Sequence, residues 1–79
     1  MKRYELQPTN GSKSFYGKAY IEVDEAGNET LYSYNTPIIR KDTDNSLHRL
    51  YPDYTATTGK HIIAFCGLNK AAFMKMEVE

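Results

Sequence analysis

The chain has 79 residues, with ten basic and ten acidic side chains and a formal net charge of zero. One domain is the limit at this length, and its core is thin, because so short a chain buries only about 60–65% of its unfolded surface. Each half carries five basic and five acidic groups, which excludes the long-range field of typical nucleic-acid binders but leaves room for a local patch. Cys66 is the single cysteine, so an internal disulfide is excluded and a reducing compartment is expected. Met1-Lys2-Arg3 leads into a mixed, short stretch rather than a secretory signal. The longest apolar run, residues 62–66, falls far below the about 20 residues of a membrane span. A cytoplasmic chain without membrane contact is expected. Seven tyrosines and no tryptophan are the unusual entry.

In chain order, residues 3–6 read as a short strand, closed by Pro8-Thr9-Asn10-Gly11-Ser12, where Asn10-Gly11 favours positive φ. From Tyr16 the pattern alternates. Gly17, Ala19, Ile21 and Val23 make an apolar face, and Tyr16, Lys18, Tyr20 and Glu22 make the other. Asp24-Glu25-Ala26-Gly27-Asn28 is a turn with a three-residue loop and Gly27 in the left-handed region. Counting back from it sets Val23 against Glu29, Ile21 against Leu31 and Tyr20 against Tyr32, a hairpin of residues 16–23 with 29–34. Asn35-Thr36-Pro37 is a break, and Pro37 belongs at a strand start or on an edge. Residues 38–41 and 46–51 are further strands, separated by the turn-rich Asp42-Thr43-Asp44-Asn45.

Helical signals follow. Thr55 to Thr58 offer N-cap candidates for a helix over residues 59–66, with Thr58, Ile62, Phe65 and Cys66 on one face. Gly67 suits the C-cap, with Leu68 as its hydrophobic contact. Asn69 can cap a second short helix over 70–75. The competing reading places Met74, Met76 and Val78 on one face of a terminal strand.

Metal binding needs convergent ligands, and His48, His61 and Cys66 lack the spacing. His48 reads as a strand-surface residue and His61 as a helix-surface residue near a Tyr or Asp. Cys66 lies near a helix C-terminus, where the dipole raises a thiol pKa, so it reads as a small core hydrophobe rather than a nucleophile. The acidic cluster Glu22, Asp24, Glu25 and Glu29 sits at the hairpin tip, where it keeps the tip solvated or meets a basic partner. Asn10-Gly11-Ser12-Lys13-Ser14 has a single glycine and precedes a strand, so it does not make a phosphate loop. Thr57-Thr58-Gly59-Lys60-His61 opens a helix. There, capping by Thr57 or Thr58 competes with anion binding assisted by Lys60 and His61. No enzymatic signal, cofactor or metal is expected.

The tyrosines carry the most information. Tyr16, Lys18, Tyr20, Tyr32 and Tyr34 map to one hairpin face. That face either packs under the helix, docks a protein, or, with Lys13 upstream, stacks on nucleic acid. Lys13-Ser14-Phe15-Tyr16-Gly17-Lys18-Ala19, then Leu31-Tyr32-Ser33-Tyr34-Asn35-Thr36, then Ala56-Thr57-Thr58 with His61-Ile62 and Phe65 together resemble a family of small uncharacterised proteins. Those proteins come from Gram-positive bacteria, their phages and conjugative elements. The resemblance covers roughly residues 3–66 and implies an accessory role in a mobile element or phage, with no catalytic residue to carry over.

The expected architecture is α+β, with an antiparallel sheet of four to five strands packed against one C-terminal helix and an optional second short helix. Leu6, Ala19, Ile21, Leu31, Ile39, Leu50, Ile62, Phe65 and Leu68 are the expected core. The expected function is a non-catalytic protein-interaction or regulatory module, such as an inhibitor or accessory protein. The alternative is a nucleic-acid-binding accessory protein using Lys13, Tyr16, Lys18 and Tyr20. Another protein is the expected partner. A homodimer would suit a thin core and an open sheet edge.

Overall fold

The computed structural model describes residues 2–6 and 18–79. Five strands form one antiparallel sheet in the order β1-β2-β3-β4-β5. They are β1 (Lys2–Glu5), β2 (Ala19–Val23), β3 (Glu29–Ser33), β4 (Thr36–Lys41) and β5 (Leu47–Arg49). Two helices follow, α1 (Ala56–Cys66) and α2 (Lys70–Lys75). The fold is α+β, as composition and patterning imply. Among the described residues no helix is long and apolar enough to cross a membrane.

The central hairpin follows its sequence pattern. Val23 pairs with Glu29, Ile21 with Leu31 and Tyr20 with Tyr32. Gly27 sits at φ 93, and the Asp24 amide donates to the Asn28 carbonyl at 3.0 Å. The Asp24 carboxylate accepts from the Ala26 and Asn28 amides. Those bonds, the Asn28 amide first, hold its pKa below the usual range.

The next connection differs from expectation. Tyr34 and Asn35 leave the strand as the two central residues of a tight turn, with φ 53 and 69. Positive φ at both positions matches the twist of the flanking strands, a geometry usually supplied by Asn-Gly. Pro37 is the second residue of β4, and the β3–β4 register shifts between Leu31 and Tyr32. The shift turns both Ile38 and Ile39 inward, at 1% and 0% exposure.

The apolar face of the sheet carries Ala19, Ile21, Leu31 and Ile39, all buried with Leu6, Ile62 and Phe73. Phe65 and Leu68 pack against that core but remain half-buried. Leu50 does not join it. On β5 the residue facing Ile39 is Arg49, so alternation points Leu50 away and brings a guanidinium in. The Leu50 and Tyr51 amides both donate to the Ile38 carbonyl as the strand ends.

Arg49 is 5% exposed. Its Nε donates to the Tyr51 carbonyl at 2.9 Å, one Nη to the Met76 carbonyl at 2.8 Å, and the other to the Pro52 carbonyl at 2.6 Å. Its Cζ stands 4.8 Å from the centre of the Phe73 ring. The chain after α2 returns along β5 through a parallel bridge between Arg49 and Val78. The helical reading of residues 70–75 therefore holds, and the strand reading survives only as that bridge.

α1 starts earlier than expected. Thr55, not Thr57 or Thr58, is the N-cap, and its Oγ1 accepts from the Thr58 amide at 3.0 Å. Gly67 ends the helix at φ 78 and donates to the Ile63 carbonyl. Gly59 has a different role. A Cβ there would lie 2.6 Å from Cζ of the Tyr54 ring, and would run into its hydroxyl as well. Tyr54 in turn meets Phe73, centroid to centroid 5.9 Å. Gly59 thus lets a tyrosine wedge between the two helices.

Arg49→Met should destabilise the fold by about 3 kcal/mol or more, because three part-buried carbonyls lose their donor together. Urea denaturation measures this, and a loss below about 1 kcal/mol would contradict the assignment. Gly59→Ala should cost about 1–2 kcal/mol, overpacking outweighing the gain in helix propensity. Tyr54→Leu in the same chain should recover part of that loss, a non-additivity visible in a double-mutant cycle.

Candidate functional site

The sheet face away from the helices follows from strand alternation. Ala19, Ile21, Leu31 and Ser33 face α1 and α2, so Tyr20, Glu22, Thr30 and Tyr32 face outward. Tyr20 and Tyr32 are directly opposed, and their rings stack with centroids 5.2 Å apart and planes 7° from parallel. Arg3 comes from β1, on the other side of β2, and places its Cζ 4.3 Å from the Tyr20 centroid. The three side chains form a layered stack of guanidinium, ring and ring across three strands. Both tyrosines are half-buried. The Tyr20 hydroxyl donates to Asn35 Oδ1 at 2.8 Å, which ties the stack to the β3–β4 turn.

Charges around the stack are matched in pairs. Arg3 binds Glu22 at 2.6 Å, and that contact raises the Arg3 pKa. Arg40 binds Asp42 at 2.9 Å and reaches Glu79 at 3.7 Å. His48 lies between Asp42, at 2.8 Å, and Glu79. The hairpin-tip acids are likewise engaged. Glu29 holds Lys41 at 3.2 Å and accepts from the Tyr4 hydroxyl. Burial and that carboxylate both raise the Tyr4 pKa. Glu25 is exposed.

The other expected site residues scatter. Tyr34 is 56% exposed in the turn, and its ring tilts toward His61 at 6.3 Å rather than joining the stack. Lys18 is exposed beside β2. Tyr16, Lys13 and residues 10–14 lie outside the described residues. Lys60 is exposed, whereas His61 is 1% exposed rather than on the helix surface. The two therefore do not converge on an anion, and the Thr58 amide is already taken by Thr55. His61 turns into the sheet, where its Nδ1 lies 2.8 Å from Ser33 Oγ.

Ser33 was legible only by parity. It shares the Glu29–Ser33 strand face with Leu31, so it is a polar group on an apolar face and needs a buried partner. His61 lies three residues beyond Thr58, on the same stripe as Ile62 and Phe65, and α1 presses it onto β3. Burial, helped by the Lys18 charge, pushes the His61 pKa down. Burial also raises the Cys66 thiol, which opposes a reactive thiolate.

Beside this pair is an open cavity of about 300 Å³ between the β3–β4 turn and the start of α1. The sheet supplies Ser33, Thr36 and Ile38, and the helix end supplies Thr55, Thr57 and Thr58. Tyr34 and Tyr51 flank it.

The depressed His61 pKa predicts a stability profile. Below about pH 6.5 the unfolded chain takes up a proton that the folded chain refuses. Stability from this residue is complete above that pH and declines as pH falls toward the folded pKa. The urea midpoint of the wild type should fall between about pH 7.5 and about pH 5 more steeply than that of His61→Gln. Parallel profiles would refute the buried neutral imidazole.

No curated protein and no solved structure matches the chain. The family match covers nearly all of it, from β1 through the bridge after α2. Residues 4–78 match DUF8033, a family of unknown function, and the chain belongs to that family.

Proposed function

We propose that the chain is a non-catalytic protein-interaction module that docks a protein partner on the open face of its sheet. The observation that carries this reading is the Arg3–Tyr20–Tyr32 stack, whose outward-facing tyrosines are half-buried with no helix of the described residues above them. Tyrosine and arginine are the residues that most often anchor interfaces, since they offer rigid area and hydrogen-bonding tips. Stacking and the Asn35 bond fix these rings before any partner arrives, which lowers the ordering cost of association.

The same geometry favours protein over nucleic acid. Arg3 and Tyr32 approach Tyr20 from opposite sides, so neither face of its ring is open to a base. Both guanidiniums on this face already meet carboxylates, which weakens their pull on phosphate. Resemblance to small proteins of phages and conjugative elements supports an accessory or inhibitory role in such an element. A reducing cytoplasm, in which Cys66 remains a thiol, completes the proposal.

The test compares the full chain with Tyr20→Ala/Tyr32→Ala, matched by circular dichroism. Protein retained from a bacterial lysate by the immobilised wild type is purified, and its Kd for both is measured. Two anchor truncations of about 1 kcal/mol each should weaken binding about 30-fold. Equal affinity would remove the face from the proposal. Oligonucleotide binding that fades steeply with salt would assign the face to nucleic acid instead. A dimer in sedimentation that the variant loses would make a second copy the partner.

A further inference from the structure

The cavity at the β3–β4 turn has a composition that the interaction reading does not use. Seven of the eight described side chains lining it carry a hydroxyl, and the eighth is Ile38. None of them is charged. Each hydroxyl can both donate and accept. A charged ligand would surrender its hydration here without meeting an opposite charge among the described lining side chains. The complement of such walls is uncharged, carries donors and acceptors around its rim, and has an apolar patch to set against Ile38.

We infer that this cavity binds one ring of a neutral carbohydrate, either a free sugar or a residue of a larger glycan. A pyranose has hydroxyls around its perimeter and C–H groups on its faces, which matches hydroxyl walls interrupted by one isoleucine. A volume of about 300 Å³ lies at the small end of ligand sites and accommodates a single ring.

Part of the wall is set in advance. Ser33 Oγ is held 2.8 Å from His61 Nδ1. The Thr55 hydroxyl accepts from the Thr58 amide and donates to Thr58 Oγ1 at 3.0 Å. The Thr55 proton is thereby committed, and Thr58 keeps its own to offer. Thr36 and Thr57 are exposed at the mouth, where their hydroxyls can turn to a ligand. The site is open, and a sugar ring has few heavy atoms, so binding falls in the range of about 1 mM.

Amide-resolved NMR titration of the full chain tests the assignment. The probes are glucose, galactose, mannose and N-acetylglucosamine, an oligosaccharide of each, and inorganic phosphate. At least one neutral sugar should give saturable shifts at Thr36, Thr57 and Thr58. In Thr36→Val/Thr57→Val the same titration should weaken about tenfold, while the rest of the spectrum overlays the wild type. Tighter binding of the oligosaccharide would identify the ligand as a glycan residue, and equal binding as a free sugar. Saturation by phosphate alone, or no saturable shift with any neutral sugar up to about 100 mM, overturns the inference. Tyr32→Ala alone should leave the sugar shifts intact, because its ring lies on the sheet face opposite Ser33 and lines no part of the cavity.

Discussion

A buried positive charge organises this fold. Arg49 enters the core where a thin domain has little apolar volume to spare, and its charge is met by carbonyl dipoles. The acceptors come from Tyr51 and Pro52 just after β5 and from Met76 at the end of α2. One side chain therefore fixes where the sheet ends, how the loop leaves it, and where the second helix stops. A guanidinium suits the task because its donors lie in one rigid plane and reach several strands of chain at once. Desolvating such a group is costly, and the cost is offset only while all of these partners are present. That condition makes the C-terminal third of the chain cooperative with the sheet.

From Arg49 the packing passes to Phe73, against whose ring the guanidinium lies, and from Phe73 to Tyr54. Tyr54 reaches this position only because residue 59 is glycine. The two helices then close over one face of the sheet, and Tyr20 and Tyr32 stand on the other. The distribution of aromatic rings thus has a structural half and an outward half. Tyr54 belongs to the first, and the stacked pair to the second.

Local features of the sequence read correctly where the decisive contacts are local. The hairpin register follows from a three-residue loop and alternation alone. Gly67 and Asn69 cap their helices as their chemistry dictates. Reading failed where distant chain decides the outcome. Leu50 has the better hydrophobicity, yet Arg49 takes the core position, where the nearby Tyr51 and Pro52 carbonyls and the distant Met76 carbonyl together satisfy it. Nothing near Arg49 in sequence announces the distant acceptor. Phe73 is hidden for the same reason, since a six-residue helix shows too little periodicity to reveal its buried side. His61 looked solvated beside Lys60, but Ser33 gave its ring nitrogen a partner across 28 residues. The candidate surface was half legible. Tyr20 and Tyr32 stand together as pattern required, while Tyr34 does not.

The displacement of Tyr34 has its own logic. Tyrosine with positive φ is uncommon, because the left-handed region crowds its Cβ, and such conformations cost on the order of 1 kcal/mol or more. Here the turn is held by the Tyr34 amide donating to the Lys18 carbonyl at 2.8 Å and by the Tyr20 hydroxyl donating to Asn35. Asn35 reaches toward the stacked tyrosines, and Tyr34 leans over the hydroxyl-lined cavity and His61. A relaxed Asn-Gly turn would make the same reversal without the ring at position 34 or the amide at position 35. Strain is retained at the one point of the sheet where the open face and the cavity adjoin. The two residues that bear it are those whose side chains face the two candidate surfaces.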